Sequence, residues 1–377
     1  DRGPADVTNS QAIITSYSPY RPFTSIQESG LYIKELENSE LTYEKKHELN
    51  IGADMGFLNN RINLAVDWYK RNNYDLIGIV NTQGAGGQIL KYANIASMKS
   101  HGIEFTLSTK NIKTKDFNWN TDFIFSNAKN EVTDLKQNAN VMELISGNGF
   151  AKQGYPVRGL FSIPFVGLDK DGIPVIINEK GEATSTDINF QERQNTGFLK
   201  YEGPTDPTIT GSLGNMFSYK GFRLNLFITY SFGNVIRLNP VFKAYYSDLT
   251  AMTREFKNRW TLPGDEAKTN VPAILSKRMY DSNEDLKYAY NAYNYSTERI
   301  AKGDFIRLKE ISLAYDFPKA WINPLKLTDL SLKVQATNLF LIYADDKLNG
   351  QDPEFFNAGG VASPVPRQFT ITLRLGL

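Results

Sequence analysis

The sequence contains no cysteine. Disulfide frameworks, thiol nucleophiles and thiolate metal sites are excluded together. Histidine is nearly missing as well: His47 and His101 are the only two, too few for a His-rich zinc centre. Neither charge predominates, with 42 basic against 41 acidic residues. Without a basic excess or stripe, no nucleic acid partner is expected. No segment approaches the ~18 consecutive apolar residues of a membrane-crossing helix. The start, DRGPADVTNS, has neither an initiator Met nor the basic and apolar regions of a signal peptide. The chain is therefore expected to begin inside a longer protein. None of these absences touches a membrane β-barrel, whose short alternating strands leave a polar average.

Aromatic residues and asparagine are abundant. There are 20 Tyr, 23 Phe, 4 Trp and 34 Asn in 377 residues. With 41% hydrophobic and 22% charged residues, the chain is neither disordered nor a coiled coil. Its length allows one large domain or two or three small ones.

Strict alternation runs through it. His47, Leu49, Ile51, Ala53, Met55 and Phe57 share one face; Glu48, Asn50, Gly52, Asp54 and Gly56 share the other, the period-2 pattern of a strand. After Asn59-Asn60, Ile62, Leu64, Val66 and Trp68 alternate with Asn63, Ala65, Asp67 and Tyr69, completing a hairpin. Ile103, Phe105 and Leu107 alternate with Glu104, Thr106 and Ser108. Phe117, Trp119, Thr121, Phe123 and Phe125 then return after a short turn at 111–115. A third hairpin joins 209–219 to 222–231 through Lys220-Gly221. A fourth pair spans 305–317 and 330–337, with a change of phase between Leu308 and Ile311 that predicts a β-bulge. The ninth strand is Phe369 to Leu377.

The connections strictly alternate between short or medium (58–61, 111–115, 219–221, 318–328) and long (78–97, 129–206, 235–302, 342–365). Outer-membrane barrels place short turns at one end and long loops at the other; a compact soluble domain has no use for connections of this length. The strands exceed the ~5–6 residues usual in soluble sheets and reach the ~9–11 of a tilted membrane strand. Aromatics gather at the short-turn ends (Phe57, Trp68, Tyr69, Phe117, Trp119, Phe217, Tyr219, Phe222, Tyr315, Phe317, Trp321), where an interfacial girdle belongs. The predicted class is all-β, a transmembrane antiparallel barrel. Nine strands cannot close a bacterial single-chain barrel, which has an even count. Residues 1–377 are thus expected to be the C-terminal portion of a larger one, with long outer loops at about 1–40, 78–97, 129–206, 235–302 and 342–365.

Several stretches, in order, resemble one family. They are LTYEKKHELNIGADMGFLNNRINLAVDWYKRNNYDLI (41–77), GPTDPTITGSLGNMFSYKGFRLNLFITYSFGN (203–234), NRWTLPGDEAKTNVPAI (258–274), GDFIRLKEISLAYDFP (303–318), LSLKVQATNLF (330–340), GQDPEF (350–355) and PVPRQFTITLRLGL (364–377). Together they are similar to the end of the SusC/RagA family of TonB-dependent outer-membrane transporters. The resemblance implies a 22-stranded barrel of which this chain supplies roughly strands 14 to 22, in the outer membrane of a Gram-negative bacterium. It implies a substrate that is an oligosaccharide or oligopeptide. It also implies partners: a SusD-like surface lipoprotein lid, TonB acting through the missing N-terminal part, the plug and remaining barrel of the same transporter, membrane lipid, and a dimer of transporter–lid pairs. The segment before residue 40 and loop 78–97 are the expected lid contacts by family position. One departure is the final residue, Leu377, where family members commonly end in Phe.

No nucleophile–base–orienter set is visible, so no enzyme and no cofactor are expected. Asp67, Glu104 and Asp122 could be read as a glycosidase carboxylate pair; beside Asn63, Arg223, Lys333 and Arg374 they read better as lumen-lining residues. The loop aromatics Tyr245, Tyr246, Trp260, Tyr290 and Tyr293 are candidates to stack on sugar rings or line a peptide channel, although packing of the loops on one another accounts for them more simply. Asp169-Lys170-Asp171-Gly172 resembles the start of a calcium loop, but Lys180 stands where the twelfth-position Glu belongs, leaving a surface turn. Asp345, Asp346 and Asp352 read as solvated loop acids rather than a cation site, and GAGG (84–87) as a plain loop. The competing expectation from another class is a soluble or surface-anchored β-sandwich, a glycan-binding protein or adhesin.

Overall fold

The computed structural model describes residues 3, 13–17, 30–35, 37–82, 90–241, 252–356 and 364–376. Nine strands form one antiparallel sheet: β1 (Lys45–Phe57), β2 (Ile62–Asn81), β3 (Leu90–Lys113), β4 (Phe117–Leu135), β5 (Ile209–Tyr219), β6 (Phe222–Phe232), β7 (Phe305–Asp316), β8 (Asp329–Ala344) and β9 (Gln368–Gly376). Each strand pairs with its neighbours in sequence, so the sheet is a continuous meander. The sandwich expectation fails here, because the nine strands make a single layer.

The turns follow from their residues. Lys220 and Gly221 both take positive φ, +44° and +91°, the two-residue geometry that matches strand twist. Leu58, Asn59 and Asn60 are all left-handed, and Arg61 N–H closes the turn onto the Phe57 carbonyl at 3.1 Å. The predicted bulge is present: the register of β7 against both β6 and β8 slips between Leu308 and Glu310, leaving Lys309 unpaired in the ladder.

Register joins the apolar faces into one surface. Met55, Leu64, Leu107, Phe123, Leu213, Ile228, Leu308 and Phe340 stand successively opposite one another across eight strands. Residues directly opposed in an antiparallel pair share a face. Leu313, Val334 and Ile371 extend that face to β9. At the short-turn end the aromatics pack in pairs: Trp119 on Phe217 at 5.6 Å, Phe222 on Tyr315 at 4.4 Å, Tyr315 on Phe317 at 4.9 Å.

Two strands run farther than alternation indicated. β2 and β3 stay paired as far as Asn81 and Leu90, so most of the expected loop 78–97 is strand, and GAGG (84–87) lies outside the described residues. The alternation breaks where Asp75 turns left-handed at φ +55° and the register slips on both sides of Leu76. Beyond that bulge neither face is uniformly apolar.

The close-packed core lies in the long connections, not in the sheet. Val141, Leu144, Ile145, Phe161, Ile163, Ile176 and Ala292 form one buried cluster; Leu275, Leu286, Ala289 and Tyr290 form another. Ile163 makes a parallel bridge to Ser296, and Thr297 N–H donates to the Ile163 carbonyl at 3.0 Å. Connections 136–208 and 233–304 therefore pack into one outer tier.

Candidate functional site: the polar wall and the outer tier

The side chains opposite the apolar face line a polar wall. Asp67 stands opposite Glu104, and Glu104 opposite Ser126. Room for Asp67 comes from Gly52, where a Cβ would lie 2.5 Å from the Asp67 carboxylate. Asp122 accepts a 2.6 Å hydrogen bond from Ser108, and Asn63 donates to the Asn60 carbonyl at 3.2 Å. Farther along the same face the cations are partnered: Arg223 with Asp316 at 2.8 Å, Lys333 with Glu310 at 3.9 Å, Arg374 with Asp329 at 3.7 Å. The wall thus has an acidic sector on β2–β4 and a charge-balanced sector on β6–β9. Nothing in this geometry assembles a nucleophile with a base.

The loop aromatics divide differently from expectation. Tyr290 and Tyr293 are 0% and 1% exposed. Helix Leu286–Asn294 turns both inward, Tyr290 against Leu275 and Leu286 and Tyr293 edge-on to Phe165 at 5.5 Å. Burial also drives the Tyr293 hydroxyl pKa well above its ordinary value. Neither ring can stack on a ligand, and both are core residues of the tier. Trp260 covers Gly172 and donates its indole N–H to Glu266 at 2.9 Å. Tyr245 and Tyr246 lie outside the described residues, as does Leu377. The acids Asp169, Asp345 and Asp352 are occupied locally. Asp169 accepts from the Asp171 and Ile173 N–H groups, and Asp345 from Lys302 N–H and Lys347 N–H. Among the described residues no cluster of three or more metal-ligating side chains occurs.

Three buried arginines, Arg237, Arg299 and Arg307, were not singled out from the sequence. Among the described residues Arg237 has no ion pair; its guanidinium donates to the carbonyls of Ser296 (2.9 Å), Ile145 (3.3 Å) and Phe161 (2.5 Å). Desolvation pushes its pKa down to about 9, which leaves it cationic at neutral pH. It ties connection 136–208 to connection 233–304. Arg307 on β7 donates to both carboxylate oxygens of Asp352 at 2.6 and 2.7 Å, and Glu354 lies 3.3 Å away. That pair holds the GQDPEF stretch against the wall. Alongside it is a cleft of about 1000 Å³ whose lining includes Arg254, Arg307, Asn338, Tyr343, Phe355 and Arg367. A lone arginine in a strand or loop carries no periodic signal, so only the GQDPEF motif pointed near this place.

A single-layer antiparallel meander, apolar on one face and polar on the other, with all long connections at one end, is a segment of transmembrane β-barrel. No protein-family model matches the chain. The TonB-dependent receptor P3 of Formosa agariphila is 25% identical over 368 residues, 90% of this chain and 34% of the relative. The TonB-dependent receptor SusC of Bacteroides thetaiotaomicron is 26% identical over 364 residues, 90% of this chain and 32% of the relative. The solved RagAB peptide importer in its 'open-open' state superposes with a TM-score of 0.74 at 24% identity, covering all of this chain and 39% of the solved one. The chain spans about a third of the length of the curated relatives it matches. These similarities bear out the resemblance to the SusC/RagA family of TonB-dependent transporters, and the fold is that of a C-terminal portion of such a barrel in the outer membrane. The relatives are receptors and transporters, not enzymes, which sets aside hydrolysis by the wall carboxylates.

Proposed function

We propose that this chain supplies the later wall strands, roughly 14 to 22, and the outer rim of a SusC-type importer of nutrient oligomers. The apolar face meets lipid, the polar face lines the lumen, and the outer tier shapes the mouth. A SusD-like lipoprotein closes over the mouth, and TonB, engaged through the N-terminal part, moves the plug. The observation that carries this reading is the unbroken register of apolar residues from Met55 to Phe340, combined with long connections confined to one end. The peptide importer named among the structural neighbours supports an oligopeptide cargo; the SusC relative keeps oligosaccharide as the alternative.

Detergent extraction of outer membranes and capture through a tag on this chain tests the reading. A plug-bearing N-terminal portion and a surface lipoprotein should co-purify, with bound oligomer naming the cargo. Recovery of the chain alone and without detergent would overturn it. Deleting 78–97 would cut into both β2 and β3, so the lid contact is better probed at the exposed Ile79 and Leu90 near the hairpin end. Ile79→Asp with Leu90→Asp should reduce lipoprotein recovery several-fold, and unchanged recovery would remove this hairpin from the lid interface.

A further inference from the structure

A row of basic side chains crosses the membrane-facing side of the wall just beyond its apolar band. Lys70 on β2 stands opposite His101 on β3, and His101 opposite Lys129 on β4. The next row toward the short turns is Trp68, Ile103 and Asn127, so Lys70, His101 and Lys129 share the apolar face. All three side chains are exposed. Cations close by are already neutralised, Lys99 by Glu131 at 3.0 Å and Lys45 by Asp75 at 2.6 Å. Lys70 and Lys129 have no ion pair among the described residues.

Height fixes what this row meets. At ~3.3 Å per residue and a tilt of ~40°, the strand from Ile62 to Lys70 climbs roughly 20 Å. By the same arithmetic, the strand from Phe117 to Lys129 climbs roughly 30 Å. The two values bracket the ~25 Å apolar band of an outer-membrane barrel, which places the row in the outer headgroup layer. Adjacent strands are ~4.8 Å apart, so the three backbones fall within about 10 Å, and the two lysine stems can converge on one anion. The outer ends of the same face on β6, β7 and β8 carry Tyr230, Ile306 and Tyr343 instead, so the charge is confined to one sector.

We propose that Lys70, His101 and Lys129 bind the phosphate of a phosphorylated glycolipid in the outer leaflet. The inference rests on the lipid-facing assignment of the apolar face. The test uses the full-length transporter in detergent, titrated with purified bis-phosphorylated lipid A and read by native mass spectrometry. The variant Lys70→Gln/His101→Gln/Lys129→Gln should bind at least tenfold more weakly, and Lys70→Arg/Lys129→Arg should bind as the parent does. Dephosphorylated lipid A should bind the parent as weakly as lipid A binds the Gln variant. Equal lipid A binding by parent and Gln variant would overturn the proposal, as would displacement of lipid A by millimolar inorganic phosphate. A spin label at Ile103→Cys reports separately on the underlying reading. Relaxation by oxygen rather than by a water-soluble nickel chelate keeps the lipid-facing assignment even where the cation row fails; the reverse removes both.

Discussion

Replacing Asp352 by Asn should free the GQDPEF stretch from the wall. Arg307 and Asp352 are both nearly fully buried, and Arg307 donates to both Asp352 oxygens. Removing one partner of a buried ion pair costs about 3–5 kcal/mol, because it strands the other charge. Asn keeps the acceptor that caps Glu354 N–H at 3.1 Å, so the substitution removes the charge and one of the two oxygens that accept from Arg307. Glu354, half-exposed and 3.3 Å from Arg307, takes over part of the pairing and sets the expected cost near the lower end, about 3 kcal/mol. That corresponds to roughly a hundredfold rise in the open population of the segment. Lys347 is exposed and lies three residues before it, in the short helix Asp346–Leu348, so trypsin reads the opening when reclosing outpaces cleavage. Cleavage after Lys347 in the intact transporter should accelerate about a hundredfold in Asp352→Asn. It should rise only a few-fold in Glu354→Gln. Arg307→Met with Asp352→Leu should return close to the parent rate, since an apolar pair replaces both charges. Parent-rate cleavage in Asp352→Asn would refute the idea that this pair is what seats the segment.

Three other outcomes follow from the wall and the tier. Leu107→Arg puts a charge on the lipid face between Leu64 and Phe123 and should cost about 2–4 kcal/mol, whereas Thr106→Arg, on the exposed polar wall, should be tolerated; the fraction of heat-modifiable barrel on gels compares the two, and equal loss would mean the faces are misassigned. Gly211→Ala should lower barrel assembly, because its Cβ would lie 2.1 Å from the Ile124 carbonyl and 2.3 Å from the Tyr230 hydroxyl, an overpacking cost of about 1–3 kcal/mol; normal assembly at the growth temperature would count against that contact. The Leu262 backbone N–H and the Thr261 hydroxyl and N–H hold the Asp265 carboxyl below its ordinary pKa of 3.8. A depressed acid pKa contributes stability in full above the unfolded value and loses it as pH falls through the folded value. Amide exchange across 261–269 should therefore be flat from pH 7 to 5 and quicken, after correction for intrinsic rates, only below the ordinary carboxylate value. Asp265→Asn should remove that step.

The wall was legible and the tier was not, for one physical reason. A strand between lipid and an aqueous lumen must alternate, so residues such as Leu49, Ile51 and Ala53 announce themselves in one dimension. Even the bulge at Lys309 showed as a phase change. Where β2 and β3 leave the membrane, both faces meet water, alternation loses its cause, and Asp75 breaks what remains. The tier is built from contacts distant in sequence, such as Arg237 with Ile145 and Ser296, and no periodicity records them. Tyr290 and Tyr293 were visible as aromatics, but helical geometry decides which rings turn inward: these two are buried while the neighbouring Tyr288 is exposed.

The placement of the core has a mechanical consequence. In lipid the sheet gains nothing from burying its apolar face against protein, and it is held by its hydrogen-bonded ladder and by closure with further strands, since an open edge in hydrocarbon leaves backbone groups unsatisfied. The tier obeys the opposite rule: it stands in water and is held by buried apolar clusters and by Arg237. Its two halves share a cluster, a β-bridge and the three carbonyls around that guanidinium. Moving connection 136–208 alone would take the Ile145 and Phe161 carbonyls away from a buried cation, at a cost of several kcal/mol. Any opening of the mouth that uses these connections must therefore carry both together, bending where they join the wall, at the short pair Val235–Arg237 and Ile300–Lys302 and at the strand ends near Asn127 and Ile209. The β2–β3 hairpin lies outside that body, whereas Leu348 and Phe356, on either side of the segment held by Arg307, pack with Ile236, Leu238 and Ala301 and tie that segment to the tier.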